Sequence, residues 1–264
     1  MTRTALKVKY KNSVLGFVWS MLNPALYLVV FYVVFQLILK NGVPYFTIYL
    51  LSGLIVWNLF SAALAGATGS SVGNAGLIKK VDFPREVLPL AAVGAALVHF
   101  FLQTLVLFVA LAVFQYGVNW AYIPLIVPAL LVLLLLASAI GILLSAINVY
   151  MRDMQHMLEL LLLAWFWGTP IVWYFRLIDT TSRSNRHALL LLNPITSVTL
   201  TFQRALYGRL DFRDKTGVTH HILPDYSILQ HLELLGAVTV AALAILWLAF
   251  VVFGRLEGNF AEEL

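Results

Sequence analysis

Few residues here could do acid, base or metal chemistry, and their spacing argues against catalysis. His220 and His221 are adjacent, and neighbours in sequence point apart on a helix or strand, so two exposed loop histidines fit better than a metal pair. His156 and Glu159 stand three apart and share a helix face, which predicts an interfacial hydrogen-bonded pair. No HExxH motif occurs, and no apolar run contains two carboxylates. No glycine is followed by lysine, which excludes the GxxxxGK[ST] phosphate-binding loop. Deep in the apolar runs the strongly polar groups are His99, Gln36, Gln103 and Asn58, too sparse for a proton relay. No catalytic residue and no metal ligand is assigned, and no cofactor is expected in this chain.

Two clusters concentrate charge instead. Arg3, Lys7 and Lys11 fall at i, i+4, i+8, with Leu6, Tyr10, Val14 and Val18 on a neighbouring stripe. This predicts an amphipathic helix over residues 1–22 lying on a membrane surface, either a lipid anchor or a docking surface. The second cluster is Leu77-Ile78-Lys79-Lys80-Val81-Asp82-Phe83-Pro84-Arg85-Glu86, with charges of both signs around the apolar Phe83, pinned by Pro84. A lipid-binding patch would be purely basic, so this segment reads as a rigid lever for another protein. Just before it, Gly66, Gly69, Gly73 and Gly76 recur at spacings of 3, 4 and 3. They line a helix face that another backbone can approach or at which the helix bends, or else mark a flexible loop.

The elements that position these clusters are membrane spans. Hydrophobic residues make up 61% of the 264 and charged ones 11%, too few charges to cover a water-facing surface. With no cysteine, a disulfide scaffold is excluded too. Six runs reach the length of about 20 residues that a bilayer demands: Leu22–Leu39, Tyr45–Gly66, Val87–Phe114, Tyr122–Val149, Met157–Phe175 and Leu234–Phe253. Lysines and arginines in the short flanks put both termini and the Lys79–Glu86 segment in the cytoplasm. In the long outer segment 176–231, Ala188–Phe202 is apolar, too short to span, and broken at Asn193-Pro194. That pattern suits a re-entrant pair of short helices or, alternatively, an interfacial helix. The expected architecture is one all-α membrane domain over 1–264, and no cleavable signal sequence is evident.

Aromatic residues fall into two groups. Trp19, Trp57, Trp120, Tyr122 and Trp173 lie near span ends, where an interfacial belt accounts for them. Tyr27, Phe31 and Phe35 stack at i, i+4, i+8 on one face of the first span, and Trp165, Phe166, Trp167, Trp173 and Tyr174 crowd the fifth. Such rings either pack helices together or offer flat faces to sugars.

The opening Leu6-Lys7-Val8-Lys9-Tyr10-Lys11-Asn12-Ser13-Val14-Leu15-Gly16-Phe17-Val18-Trp19, followed by Leu22-Asn23-Pro24, resembles type-2 ABC exporter permeases that move polysaccharides. Phe83-Pro84-Arg85-Glu86-Val87-Leu88-Pro89, Arg152-Asp153 and Leu192-Asn193-Pro194-Ile195-Thr196 are similar to that family's later signatures, in the same order. The resemblance implies a homodimer with two copies of a separate ABC ATPase that carries the ATP and Mg. It also implies a gate helix at Gly69–Gly76, a coupling helix at Lys79–Glu86 with a lesser contact at Arg152-Asp153, and a passage lined by aromatics of spans one and five. The implied substrate is a lipid-linked polymer such as an O-antigen, a teichoic acid or a galactan, in a bacterial inner membrane, with membrane lipid and no nucleic acid as further surroundings. The look of span five favours the galactan branch. An exporter of drugs or small lipids, or an enzyme acting on lipid-linked sugars near Arg183, Arg186, Arg204 and Arg209, are the alternatives.

Overall fold

The computed structural model describes residues 26, 29–30, 32–38, 43–81, 83–175, 191–209, 211–213 and 219–263. Six longer helices organise them: α1 (Phe46–Gly73), α2 (Val87–Val113), α3 (Ile126–Tyr150), α4 (Met154–Trp167), α5 (Pro194–Leu206) and α6 (Ile228–Leu256). Shorter pieces are a π-helix at Tyr32–Ile38, a helical turn at Ala75–Ile78, a 3-10 turn at Ile123–Leu125 leading into α3, and the turns Glu257–Asn259 and Phe260–Glu263 after α6. An antiparallel hairpin pairs Asp211–Arg213 with Thr219–His221.

Four segments are long and apolar enough to cross a bilayer: Phe46–Gly73, Val87–Val113, Ile123–Tyr150 and Ile228–Asn259. They correspond to the second, third, fourth and sixth expected spans, the second running on past Gly66 to Gly73. Of the expected first span, the described part is mainly the π-helix Tyr32–Ile38; the surface helix over 1–22 lies outside the described residues. The fifth expected span is not one helix. α4 ends at Trp167 after 14 residues, about 21 Å at 1.5 Å per residue, short of a hydrocarbon core of roughly 30 Å. Thr169-Pro170 interrupts it, because proline cannot donate the next helical hydrogen bond.

α1 is the central column. Its sequence has no polar face, and it is buried nearly all round, against α2, α3, α4 and α5. Small residues let the helices close in: a Cβ on Gly141 of α3 would stand 2.7 Å from the Cβ of Ala67 on α1. Polar side chains stitch the same helices where water is excluded. Ser145 Oγ lies 2.7 Å from Ser71 Oγ and 3.2 Å from Ser70 Oγ, and Asn148 Nδ2 donates to the Thr68 carbonyl at 3.0 Å. Asn58 Nδ2 donates to Gln103 Oε1 at 3.1 Å, joining α1 to α2.

α5 is buried on every residue from Ile195 to Leu206, wedged among α1, α3 and α6. A helix lying on a surface would leave one face open, and this one leaves none. By contrast, Phe101, Leu105, Phe108 and Val109 of α2 and Val240, Leu243 and Trp247 of α6 are exposed. Apolar surface on that scale calls for a non-aqueous surrounding.

Gly141→Ala forces α3 off α1 and should lower stability by roughly 1–3 kcal/mol, as overpacking does. Gly236→Ala on α6, where an added Cβ meets nothing within 4 Å, should leave it unchanged. Thermal denaturation in detergent compares them, and equal melting would contradict the packing described.

Candidate functional site

The break after α4 frees backbone carbonyls, and most of them meet a donor. Ala164 accepts from the Gly168 amide at 3.1 Å, Phe166 from the Thr169 amide at 3.1 Å and Thr169 from the Ile171 amide at 2.8 Å. Thr169 Oγ1 donates to the Trp165 carbonyl at 2.9 Å, and Trp173 Nε1 to the Trp167 carbonyl at 3.1 Å. Distant elements supply further donors. Gln203 Nε2 of α5 donates to the Pro170 carbonyl at 3.0 Å, and the Tyr49 hydroxyl of α1 lies between the carbonyls of Pro170 (3.3 Å) and Trp173 (3.1 Å). Gly53 makes room for this: a Cβ there would sit 3.1 Å from Gln203 Nε2 and 3.3 Å from Ile171.

Asn193 joins the broken span to α5. As the N-cap, its Oδ1 accepts from the Ile195 amide at 3.1 Å and from Trp165 Nε1 at 2.8 Å. Its Nδ2 donates to Thr169 Oγ1 at 2.9 Å and to the Gly168 carbonyl at 3.3 Å. Pro194 follows at the first helical position, where its missing amide costs nothing. Asn-Pro is therefore a junction between two short helices.

The charged lever gathers at one end of the bundle, with the last turns of α1, α3 and α6. Lys79, Lys80 and Pro84 are exposed, and Phe83, Arg85 and Glu86 half-buried; Asp82 lies outside the described residues. Phe83 does not project. It packs against the cluster formed by Ile78, Leu88, Ile142, Val149, Phe253 and Phe260. Arg85 donates to the Glu257 carbonyl and stands 5.8 Å over the Phe260 ring. Tyr150 Oη donates to the Leu256 carbonyl at 2.8 Å, tying α3 to the same segment. An open groove of about 600 Å³ runs between Phe83–Glu86 and Glu257-Gly258.

The four glycines before the lever divide. A Cβ on Gly69 would meet Gln155 Nε2 at 2.6 Å and one on Gly66 the Cβ of Ala92 at 3.4 Å, whereas Gly73 and Gly76 face open space. Asn74 interrupts the helix between the latter two. Arg152 and Asp153 are exposed in the turn before α4, next to Gln155. His156 and Glu159 are exposed and 3.9 Å apart, too far for the expected hydrogen bond.

The fifth-span aromatics do not form one row. Trp165 packs edge-on to Phe60 at 5.2 Å and Phe166 lies 5.5 Å from Trp57, both rings turned toward α1. Trp167 is exposed; Trp173 and Tyr174 are half-buried after the break. Phe35 stands 4.9 Å from Phe46, and Tyr27 and Phe31, like Arg3, Lys7, Tyr10 and Lys11, lie outside the described residues.

Gly69-Ser70-Ser71-Val72-Gly73 has the spacing of a GxSxG nucleophile motif, which sequence reasoning passed over. Its chemistry is absent. Ser71 is wholly buried within α1, bonded to Ser145, rather than on the strand-to-helix turn such a nucleophile needs. Sequence reasoning also missed Tyr49, Gln203 and Thr169. A proline inside an apolar run signals that carbonyls are freed, but nothing in the spacing says which distant donors meet them. The outer arginines diverge as well: Arg204 is buried, pairs with Asp225 at 3.3 Å and lies 4.7 Å over Tyr122, while Arg209 is exposed. Arg183 and Arg186 are outside the described residues. Among the described residues no cluster of three or more metal-ligating side chains occurs.

The ABC-2 type transporter family description matches residues 1–207. The chain belongs to the ABC-2 type transporter family. It is 30% identical over 264 residues to the O-antigen export system permease protein RfbA of Myxococcus xanthus, covering all of this chain and 94% of that one. Two O-antigen export system permease proteins RfbA of Klebsiella pneumoniae are also similar. One is 31% identical over 208 residues, 77% of each chain; the other is 30% identical over 270 residues, covering all of this chain and 93% of that one. This ABC-2 transporter chain is a multi-pass membrane protein, homologous along its length to O-antigen export permeases.

Asn193→Ala removes the cap and the three bonds to the broken span, and should cost about 1–2 kcal/mol from the cap alone. Asn193→Asp keeps the acceptor but loses the two donated bonds, and should fall between. Detergent melting temperatures of the three proteins test this order; a wild-type-like alanine variant would remove the junction from the account.

Proposed function

We propose that this chain is the membrane subunit of an ATP-driven exporter of a lipid-linked polysaccharide. The observation that carries the reading is the end-to-end similarity to the M. xanthus O-antigen export permease. The chain's chemistry supports it: the four long apolar segments are nearly free of charge, and Lys79, Lys80, Arg152 and Asp153 are exposed together at the lever end. Long segments nearly free of charge, in a sequence without a GxxxxGK[ST] loop, fit a transporter whose motor is another chain.

In this reading the chain forms a homodimer above two copies of an ABC ATPase that supplies ATP and Mg. Its six passages are the run from Leu22, then α1, α2 and α3, then α4 with its broken continuation, then α6. α5 is the inner arm of a re-entrant segment, and both termini face the cytoplasm of a bacterial inner membrane. Lys79–Glu86 enters the ATPase cleft, with Arg152-Asp153 beside it, and Gly69–Gly76 acts as the gate. The surface helix bearing Arg3, Lys7, Tyr10 and Lys11 lies at the junction. Tyr27, Phe31, Phe35, Trp165, Phe166, Trp167, Trp173 and Tyr174 supply the aromatic wall, of which Trp167 is the ring left exposed on α4. A galactan or an O-antigen-like polymer is the substrate.

Lys79→Glu with Lys80→Glu should abolish export while leaving the spans folded, because both side chains are exposed. Complementation of an export-deficient strain, with surface polymer as the readout and melting temperature as the folding control, checks this. Undelivered polymer accumulating on the cytoplasmic face despite expression of the wild-type chain would overturn the exporter reading itself. Normal export by the double variant would overturn only the coupling assignment.

A further inference from the structure

The end of the bundle opposite the lever gathers the left-handed backbone of the described residues, two of its three positions being strained non-glycine residues. Among the described residues, three have φ in the left-handed region: Tyr45 (52°), Gln115 (50°) and Gly208 (70°). All three line the same open cleft, of about 440 Å³. Left-handed backbone is rare for a bulky side chain such as tyrosine and persists where surrounding contacts over-determine it, often at ligand sites. Contacts hold the turns at Tyr45 and Gly208. The Tyr45 carbonyl accepts from the Ile48 amide at 2.9 Å, and Tyr207 Oη donates to the Pro44 carbonyl at 2.9 Å. Arg204 donates to the Gly208 carbonyl at 3.0 Å, the Asn119 amide donates to the Ala205 carbonyl at 2.9 Å, and a Cβ on Gly208 would meet the Cβ of Asn119 at 3.1 Å.

The cleft holds one cation and no carboxylate among its described lining residues. Arg209 is exposed, and its guanidinium carbon lies 5.5 Å from the ring centres of both Tyr45 and Tyr116. Two aromatic faces fix the arginine without neutralising it. Tyr116 is itself anchored: its ring stacks on Tyr207 at 5.8 Å with 7° between planes, and its hydroxyl donates to the Tyr207 carbonyl at 2.6 Å. Burial raises the Tyr116 phenol above its ordinary pKa, Arg209 opposing, so it stays protonated for that bond. Gln115 and Asn119 bring side-chain amides to the same wall. A fixed arginine beside amide donors is suited to a phosphate.

Tyr45 is also the wall of a second recess, of about 290 Å³, that it shares with Tyr32, Pro44, Thr47, Ile48 and Phe114. This one is mainly apolar. A cationic cleft and an apolar recess therefore meet at one ring, near the ends of α1 and α2, where interfacial tyrosines belong. We propose that this end of the molecule binds a membrane lipid with a phosphate headgroup, the phosphate on Arg209 and an acyl or prenyl chain in the recess behind Tyr45.

The test uses the full purified chain in detergent, without any ATPase, so its outcome is independent of the export reading. Native mass spectrometry titrates three probes: dioleoyl phosphatidic acid, dioleoylglycerol and inorganic phosphate. The expected result is at least tenfold tighter retention of phosphatidic acid than of either fragment. Arg209→Gln should erase that difference, and Arg209→Lys should restore part of it, because lysine binds phosphate as a point charge. Unchanged melting temperatures keep the variants interpretable, and Tyr45→Ala gives a second route by weakening chain retention. Equal retention of dioleoylglycerol and phosphatidic acid overturns the proposal. So does inorganic phosphate binding as tightly as the lipid, which would make this an anion site alone, and so does an Arg209→Gln protein that still prefers phosphatidic acid.

Discussion

A backbone carbonyl without a donor is costly in hydrocarbon, and α4 creates several by stopping inside the protein. Continuous helices settle their own hydrogen bonds, which is why α1, α2, α3 and α6 need little from one another beyond close packing. The run from Gly168 to Trp173 cannot. Tyr49 reaches it from α1, Gln203 from within α5 and Asn193 from the start of α5, so the break exists only in the company of both helices. The full burial of α5 follows from the same requirement. If that helix moved to the membrane surface, the Pro170 carbonyl would lose Gln203 and the Gly168 carbonyl would lose Asn193. The short helices thus form a dependent unit around α1, while the long ones make the frame.

Polarity is organised along the molecule by the same economy. Between the two ends, polar side chains serve neighbouring helices: Ser70, Ser71 and Asn148 at one level, Asn58 and Gln103 at another. Formal charge appears where helices stop. At the lever end Arg85 is spent on the carbonyl of Glu257 and the face of Phe260, and Phe83 is seated among residues of α2, α3 and α6. The lever is accordingly continuous with the ends of three long helices, and Lys79 and Lys80 are left free to face another molecule. At the far end Arg204 is consumed in holding Asp225 and Gly208, and Arg209 is left toward solvent. Each end pairs a structural arginine with exposed basic residues.

The long spans were legible from sequence because hydropathy alone decides them. The expected limits of α2, α3 and α6 agree with the helices to within a few residues, the largest shift being the earlier start of α6 at Ile228. Its cause is local: Ser227 and Gln230 form a reciprocal capping box that nucleates the helix ahead of the apolar run. The fifth span was misjudged for a related reason. Its composition is apolar enough to cross, and hydropathy does not register that Thr169-Pro170 ends the hydrogen-bond ladder. Asn193-Pro194 was legible as a break but not as a staple, since its partners Trp165, Gly168 and Thr169 lie 24 or more residues away. The cleft at Tyr45 was invisible from sequence. It depends on three backbone conformations and on a loop, a helix start and a helix end meeting, none of which has a local signature in tyrosine or glutamine.

Glycine spacing deserves a finer reading than a single face implies. A Cβ on Gly141 would collide with the Cβ of Ala67, so α3 and α1 are at their closest approach there, whereas the neighbour of Gly69 is the end of the exposed Gln155 side chain, which can give way. Gly73 and Gly76 meet nothing, and between them Asn74 ends one helix and leads into the turn Ala75–Ile78. Lys79 and Lys80 connect inward by two routes, one along the chain through Asn74 to α1 and one through Phe83 and Arg85 to the ends of α3 and α6. Side chains packed on Phe253 and Phe260 do not yield without opening a cavity, and the Gly73–Gly76 segment is held by its own bonds, Asn74 Nδ2 donating to the Ser70 carbonyl at 2.7 Å and the Leu77 and Ile78 amides to the Asn74 carbonyl at 2.9 and 3.1 Å. The lever end is thus packed onto α3 and α6, and α1 is tied to α3 by the Ser70 and Ser71 hydroxyls on Ser145.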